Sequence, residues 1–166
     1  MRVLIDTNIL ISAALSSQGT PYRAFVKAVS YPNHGLVCEQ NIDEMRRIFN
    51  HKFPQKIQAL EGFLSLALLT LEVVPMPLEE NILEDRIRDV NDRPILRAAL
   101  HAKADILLTG DKDFLESGIK YVTVISCSAP IFSAIIFNCP FIFSMTSSLK
   151  ICLSSVSRAV SFIAAS

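Results

Sequence analysis

Eight residues in this chain carry oxygen chemistry at places where a fold exposes it. Asp6, Thr7 and Asn8 follow directly on the apolar run Val3-Leu4-Ile5, and Thr109, Asp111 and Asp113 belong to "LLTGDKD". Asp92 stands just before Pro94 and the apolar "ILRAAL", and Glu44 lies within "NIDEMRRIFN". Two carboxylates about 4 Å apart repel by roughly 4 kcal/mol at an effective dielectric of 20. Five acids on one rim therefore need protons or a cation. Hard oxygen donors without a partnering histidine cluster favour Mg²⁺ or Mn²⁺ over zinc. Thr7, Asn8 and Thr109 suit hydrogen bonds that orient such carboxylates.

Each acid also has a plainer use. Asp92, two residues before a proline and an apolar run, fits a helix N-cap. Asp113 suits a cap for "FLES". Glu44 is one of several charges on an amphipathic helix, and Thr7, Asn8 and Thr109 could satisfy turn backbone instead. Asp105, just before a strand, reads as structural. Asp6 differs, because a capping acid gains little at the end of a buried strand.

The elements that must position these groups alternate along the chain. "VLI" is a short strand of the kind buried on both faces of a parallel sheet. "TPYRAFVKAV" reads as a helix capped by Thr20, with Pro21 in its first turn and Phe25, Val26 and Val29 on one face. "GLVCE" is a second strand, followed by the "NIDEMRRIFN" helix with Ile42, Met45, Ile48 and Phe49 as its apolar stripe. A third helix spans about 54–71. Its greasy "FLSLALLTL" suits either a buried core or a dimer or partner face. "LEVVPMP" is a strand ending at Pro75, "RPILRAALHAKA" a helix, "DILLTG" a strand, "DKDFLES" a loop and short helix, and "KYVTVIS" a last strand. Alternating strands and helices predict right-handed βαβ units and a mostly parallel α/β sheet. Ligands of such sheets bind beyond the carboxyl ends of the strands, where Asp6 and Asp111 fall.

The 166 residues suffice for one α/β domain, and 16 basic residues balance 16 acidic ones. That balance argues against strong nonspecific nucleic-acid binding without excluding a local basic rim; Arg46, Arg47, Arg93 and Lys112 lie near the acids in sequence. Asp6 breaks the N-terminal apolar run too early for a signal peptide. Cys38, Cys127, Cys139 and Cys152 show no zinc spacing, which suggests a reduced, cytoplasmic protein. The three histidines are scattered. No P-loop, G-x-G-x-x-G or Ser–His–Asp order is present.

Taken together, "VLIDTNILISAAL", "NIDEMRRIF", "DRPILRAALHAKADILLTGDKDF" and "VTVIS" resemble a PIN-domain protein, most of all the VapC-like ribonuclease toxins of toxin–antitoxin pairs. The resemblance covers residues 1–126. It implies a three-layer α/β/α fold and a metal-dependent endoribonuclease. The implied acid quartet is Asp6, Glu44, Asp92 and Asp111, supported by Asp113, Asn8 and Thr109. One or two Mg²⁺ or Mn²⁺ ions would then generate the attacking hydroxide and offset charge on the phosphorane-like transition state. The implied partners are RNA and a cognate antitoxin.

Residues 127–166 break the pattern. All acids lie between Asp6 and Glu116; the tail has only Lys150 and Arg158 as charges, with ten Ser and three of the four Cys. A reading-frame change near Ser126 is one expectation. A membrane anchor is disfavoured, because Asn138, Pro140 and clustered Ser interrupt the apolar run. Two other functions compete with the ribonuclease. One is a haloacid-dehalogenase-like phosphohydrolase with Asp6 as nucleophile, although Asn8 stands where that chemistry wants a second Asp. The other is an inert, truncated PIN protein.

Overall fold

The computed structural model describes residues 1–127; the expectations for the acid-free tail, apart from Cys127, lie outside them. Five strands form one sheet in the order β3-β2-β1-β4-β5: β1 (Arg2–Ile5), β2 (His34–Cys38), β3 (Leu71–Val74), β4 (Ile106–Thr109) and β5 (Thr123–Ser126). Each neighbouring pair is parallel. The sequence predicted a mostly parallel sheet, and the short apolar strands explain it. Val3, Leu4, Ile5, Ile106, Leu107 and Leu108 are all inaccessible to solvent, as strands covered on both faces must be.

Pleating sends successive residues to opposite faces. Val3, Ile5, Val37, Ile106 and Leu108 pack with α1 (Thr7–Leu15), α2 (Thr20–Val29), α3 (Glu39–Lys52) and α4 (Ile57–Ala67). Leu4, Leu36, Cys38 and Leu107 pack on the other face with α5 (Arg93–His101) and α6 (Lys112–Glu116). The result is the three-layer α/β/α arrangement.

Four details depart from the sequence reading. Helix α1 begins at Thr7, directly after Asp6, where no helix was expected; its Ile9, Leu10 and Ala13 enter the core. The cap of α2 is Gly19, and Thr20 is already helical. The third helix ends at Ala67 rather than near Leu71, because Leu71 opens β3, and it is preceded by a separate 3-10 turn (Pro54–Lys56). A second 3-10 turn (Ile82–Arg86) is capped at its start: Asn81 Oδ1 accepts from the Leu83 N–H, and Glu84 Oε1 accepts from the Asn81 N–H.

The buried-core reading of "FLSLALLTL" accounts for Phe63, Leu64 and Ala67, while Leu69 is exposed. No helix among the described residues is long and apolar enough to cross a membrane.

The loop before α5 is anchored from beneath. Arg97 on α5 grips buried Glu84 through two bonds, 2.8 and 2.7 Å, and donates to the Pro77 carbonyl at 3.1 Å. The Arg97 hydrogen bonds hold the Glu84 carboxyl below its ordinary range. This clamp ties the Ile82–Arg86 turn to α5, the helix that Asp92 precedes. At the opposite end of the sheet, Asp105 accepts from the Arg2 N–H at 2.7 Å, which is the structural role expected for it.

Candidate active site

The strand order reverses its sense of progression on either side of β1, so the crevice beyond the ends of β1 and β4 is the natural ligand site. Asp6 stands there. Its N–H donates to the Leu108 carbonyl at 3.0 Å, and its own carbonyl accepts the first bonds of α1, from Ile9 and Leu10. Asp6 occupies the N-cap position, yet its side chain makes no cap hydrogen bond. The carboxyl instead accepts from Thr109 Oγ1 at 2.5 Å, inside the protein, with Asp6 4% exposed and Thr109 fully buried.

Burial raises the Asp6 pKa from 3.8 to about 7. The Thr109 hydroxyl and the Thr7 N–H oppose that shift, and the negative charges of Asp92 and Glu44 add to it. Asp92 is raised to about 6, again mainly by burial, then by Asp111, Asp89, Glu44 and Asp113. These two acids and Glu44 therefore share one electrostatic field. Asp92 also sits at an N-cap position without capping through its side chain, so the plainer use of this residue is not realised.

A hydrogen-bonded frame surrounds the acids. Thr7 Oγ1 donates to Glu44 Oε2 at 2.8 Å, tying α1 to α3. That contact distinguishes Glu44 from its neighbours: Asp43 is mostly exposed beside Arg46, and Glu39 accepts from the Met76 N–H. Asn8 Oδ1 accepts from the Gly110 N–H at 3.2 Å, and Thr109 Oγ1 accepts from the Asp111 N–H at 3.0 Å. The cap of α6 is Asp111, which accepts from the Asp113 N–H at 2.7 Å; the capping use expected of Asp113 belongs to its neighbour. Asp113 itself is paired with Arg88.

Among the described residues, no three His, Cys, Asp or Glu side chains close into a compact cage for an ion. Asp6, Glu44 and Asp113 are each turned toward a protein partner, respectively Thr109, Thr7 and Arg88. The donors are nonetheless all hard oxygens, and a buried carboxyl whose pKa stands near 7 is a group that a divalent cation would relieve. The donor chemistry fits Mg²⁺ or Mn²⁺.

A PIN-domain family profile matches residues 2–113, a span that contains all five acids. The chain belongs to the PIN-domain family. Among solved structures, the crystal structure of VapBC2 from Rickettsia felis, bound to a DNA fragment from its promoter, superposes with a TM-score of 0.58. The match covers 76% of this chain and 98% of that one at 18% identity, and it shows a shared fold. Among curated proteins, none matches the chain.

Two features of this PIN domain escaped the sequence reading. Asn41, fully buried, donates from Nδ2 to the Ile5 carbonyl at 3.1 Å, continuing the β1–β2 ladder after β2 has turned into α3. Its Oδ1 is buried without a hydrogen-bond partner. An Asn among charged residues near a helix start gives no signal of this; only the fold brings it to the carbonyl that precedes Asp6. Arg88 is the other, and a surface arginine in a polar loop is equally mute. Of the basic residues singled out by sequence, Arg46 is bound to Glu61 at 2.9 and 3.1 Å, and Arg93 to Asp85 and the Ile87 carbonyl. Arg47 stands 3.8 Å from Glu44.

Proposed function

We propose that this PIN domain is a metal-dependent endoribonuclease and the toxin of a toxin–antitoxin pair. The observation that carries the reading is Asp6: a buried carboxyl at the end of the central strand, its pKa raised to about 7, facing the charges of Asp92 and Glu44. Asp6, Glu44, Asp92 and Asp111 would hold a Mg²⁺ or Mn²⁺ ion, with Asp113 at the outer edge. When bound, such an ion activates water and offsets the charge that develops on a phosphodiester during hydrolysis.

The chain's own residues supply the rest. Thr109 fixes Asp6, and Thr7 holds Glu44 in register with it across the α1–α3 gap. Asn8 ties the start of α1, just after Asp6, to Gly110, just before Asp111. Water adds to phosphorus, the P–O bond to one ribose oxygen breaks, and that oxygen leaves with a proton. The partner reading rests on the VapBC2 likeness, in which a related fold sits in a complex with promoter DNA; here it points to a cognate antitoxin. RNA as substrate and the buried free thiol of Cys38 both suit the cytoplasm.

The test is cleavage of single-stranded RNA by the full chain with Mn²⁺ and with EDTA. Cleavage that needs Mn²⁺ and vanishes in Asp6→Asn supports the reading. A trappable phospho-aspartate at Asp6 would instead assign the phosphohydrolase chemistry. Folded protein that cleaves no RNA with Mn²⁺ would mark an inert domain.

A further inference from the structure

Arg88 lies in the loop between the Ile82–Arg86 turn and α5, four residues before Asp92. Its Nη2 is in close contact with Asp113 Oδ1 and lies 3.7 Å from Glu116 Oε2. The Arg88 side chain is 71% exposed, whereas Asp113 is 20% exposed. The Asp113 charge is also felt at Asp92. A guanidinium thus sits on one acid of the rim, delivered by a different element from the one carrying that acid.

The other arginines near this end are committed elsewhere. Arg46 holds Glu61 with two bonds, Arg93 holds Asp85 and a backbone carbonyl, and Arg97 is clamped on buried Glu84. Arg47 approaches Glu44 from the same helix, at a distance too long for a hydrogen bond. The Arg88 end of the pair is open to water, which screens the attraction, so the guanidinium exchanges readily for a better partner. The planar fork of arginine matches a phosphate as well as it matches a carboxylate.

We propose that Arg88 is an exchangeable counter-ion of the carboxylate rim and a substrate-contacting residue. It holds Asp113 in the RNA-free protein, and it turns to a backbone phosphate of the RNA strand when a divalent cation takes over the neutralisation of the acids. The proposal rests on the ribonuclease reading above and adds a competition to it: the same side chain opposes metal binding and favours RNA binding.

The experiment uses the full chain, with Mn²⁺ as the probe in the absence of RNA and single-stranded RNA in steady-state cleavage. Arg88→Ala is expected to bind Mn²⁺ about twofold to fivefold more tightly, because a competing positive charge is gone. Its KM for RNA is expected to rise about fivefold to tenfold, more than any change in kcat. Arg88→Lys keeps the charge without the fork and should fall between the two. In an Asp113→Asn background, Arg88→Ala should no longer change Mn²⁺ affinity. Wild-type chain that binds Mn²⁺ and cleaves RNA, with Arg88→Ala unchanged in either readout, overturns this proposal alone. An Arg88→Ala effect on Mn²⁺ that persists without Asp113 also overturns it. Wild-type chain that binds no Mn²⁺ overturns the ribonuclease reading and the proposal together.

Discussion

Thr109 Oγ1 donates to Asp6 Oδ2 at 2.5 Å and accepts from the Asp111 N–H at 3.0 Å, so one hydroxyl links the acids at the ends of β1 and β4. It lies within the protein, where a hydrogen bond to a charged group has little competition from water. Replacing Thr109 with Val keeps the shape and removes both bonds. The Asp6 carboxyl should then titrate above its value of about 7, since the Thr109 bond is the largest influence lowering it. Mn²⁺ affinity should fall about tenfold, the usual consequence of losing a group that orients a metal ligand. NMR titration of the Asp6 carboxyl and Mn²⁺ calorimetry would check the two effects separately.

The raised pKa of Asp6 is also a statement about stability. Burial favours the neutral carboxyl in the folded state, so the folded chain holds its proton to higher pH than the unfolded chain does. Stability from this group is fully present below pH 3.8 and is lost as pH rises through about 7. The loss reaches at most about 4 kcal/mol. Urea unfolding of metal-free protein between pH 4 and 8 should show this fall. Asp6→Asn should reduce it, leaving the smaller fall that belongs to Asp92, raised to about 6, and Mn²⁺ should restore stability to the wild type at the alkaline end.

Asn41 offers a test of the scaffold beneath the site. Its Nδ2 satisfies the Ile5 carbonyl, one residue before Asp6. Asn41→Ala leaves that carbonyl buried and unpaired, which costs about 1–3 kcal/mol. The urea midpoint should drop accordingly, and Mn²⁺ affinity should weaken with it, because Asp6 loses the support of the preceding carbonyl.

The Arg97–Glu84 clamp makes a different forecast. Arg97→Met strands a carboxylate that is 3% exposed, whereas Arg97→Met with Glu84→Gln removes the charge as well. The single variant should unfold at lower urea than the double variant. Equal midpoints would show that the clamp does not hold the Asp92 loop through this charge pair.

Much of the carboxylate rim was legible because its residues break local patterns. A strand buried on both faces has no use for Asp at its end, and Asp6 stood out for that reason. Asp92 and Asp111 were placed by the alternation of strands and helices, which sets the carboxyl edge of a parallel sheet. Local ambiguity hid other parts. Asp111 and Asp113 are both plausible caps for α6, and only the backbone conformation chooses Asp111. Helix α1 follows β1 without a loop, so the polar Asp-Thr-Asn read as a break in the chain rather than as a helix start. Asn41 and Arg88 were invisible because their partners, Ile5 and Asp113, lie 36 and 25 residues away, and nothing in either neighbourhood announces the pairing.

On the reading proposed above, strand-end acids of this PIN domain hold a divalent cation for RNA hydrolysis. Calorimetric titration of Mn²⁺ into the full chain at pH 7.5, beside Asp6→Asn and Asp92→Asn, tests it most directly. Saturable binding by the wild type, weakened at least about tenfold in both variants, is the expected result. Wild-type protein that is folded and takes up no Mn²⁺, or variants that bind it as tightly as the wild type, would show that these acids hold no such ion.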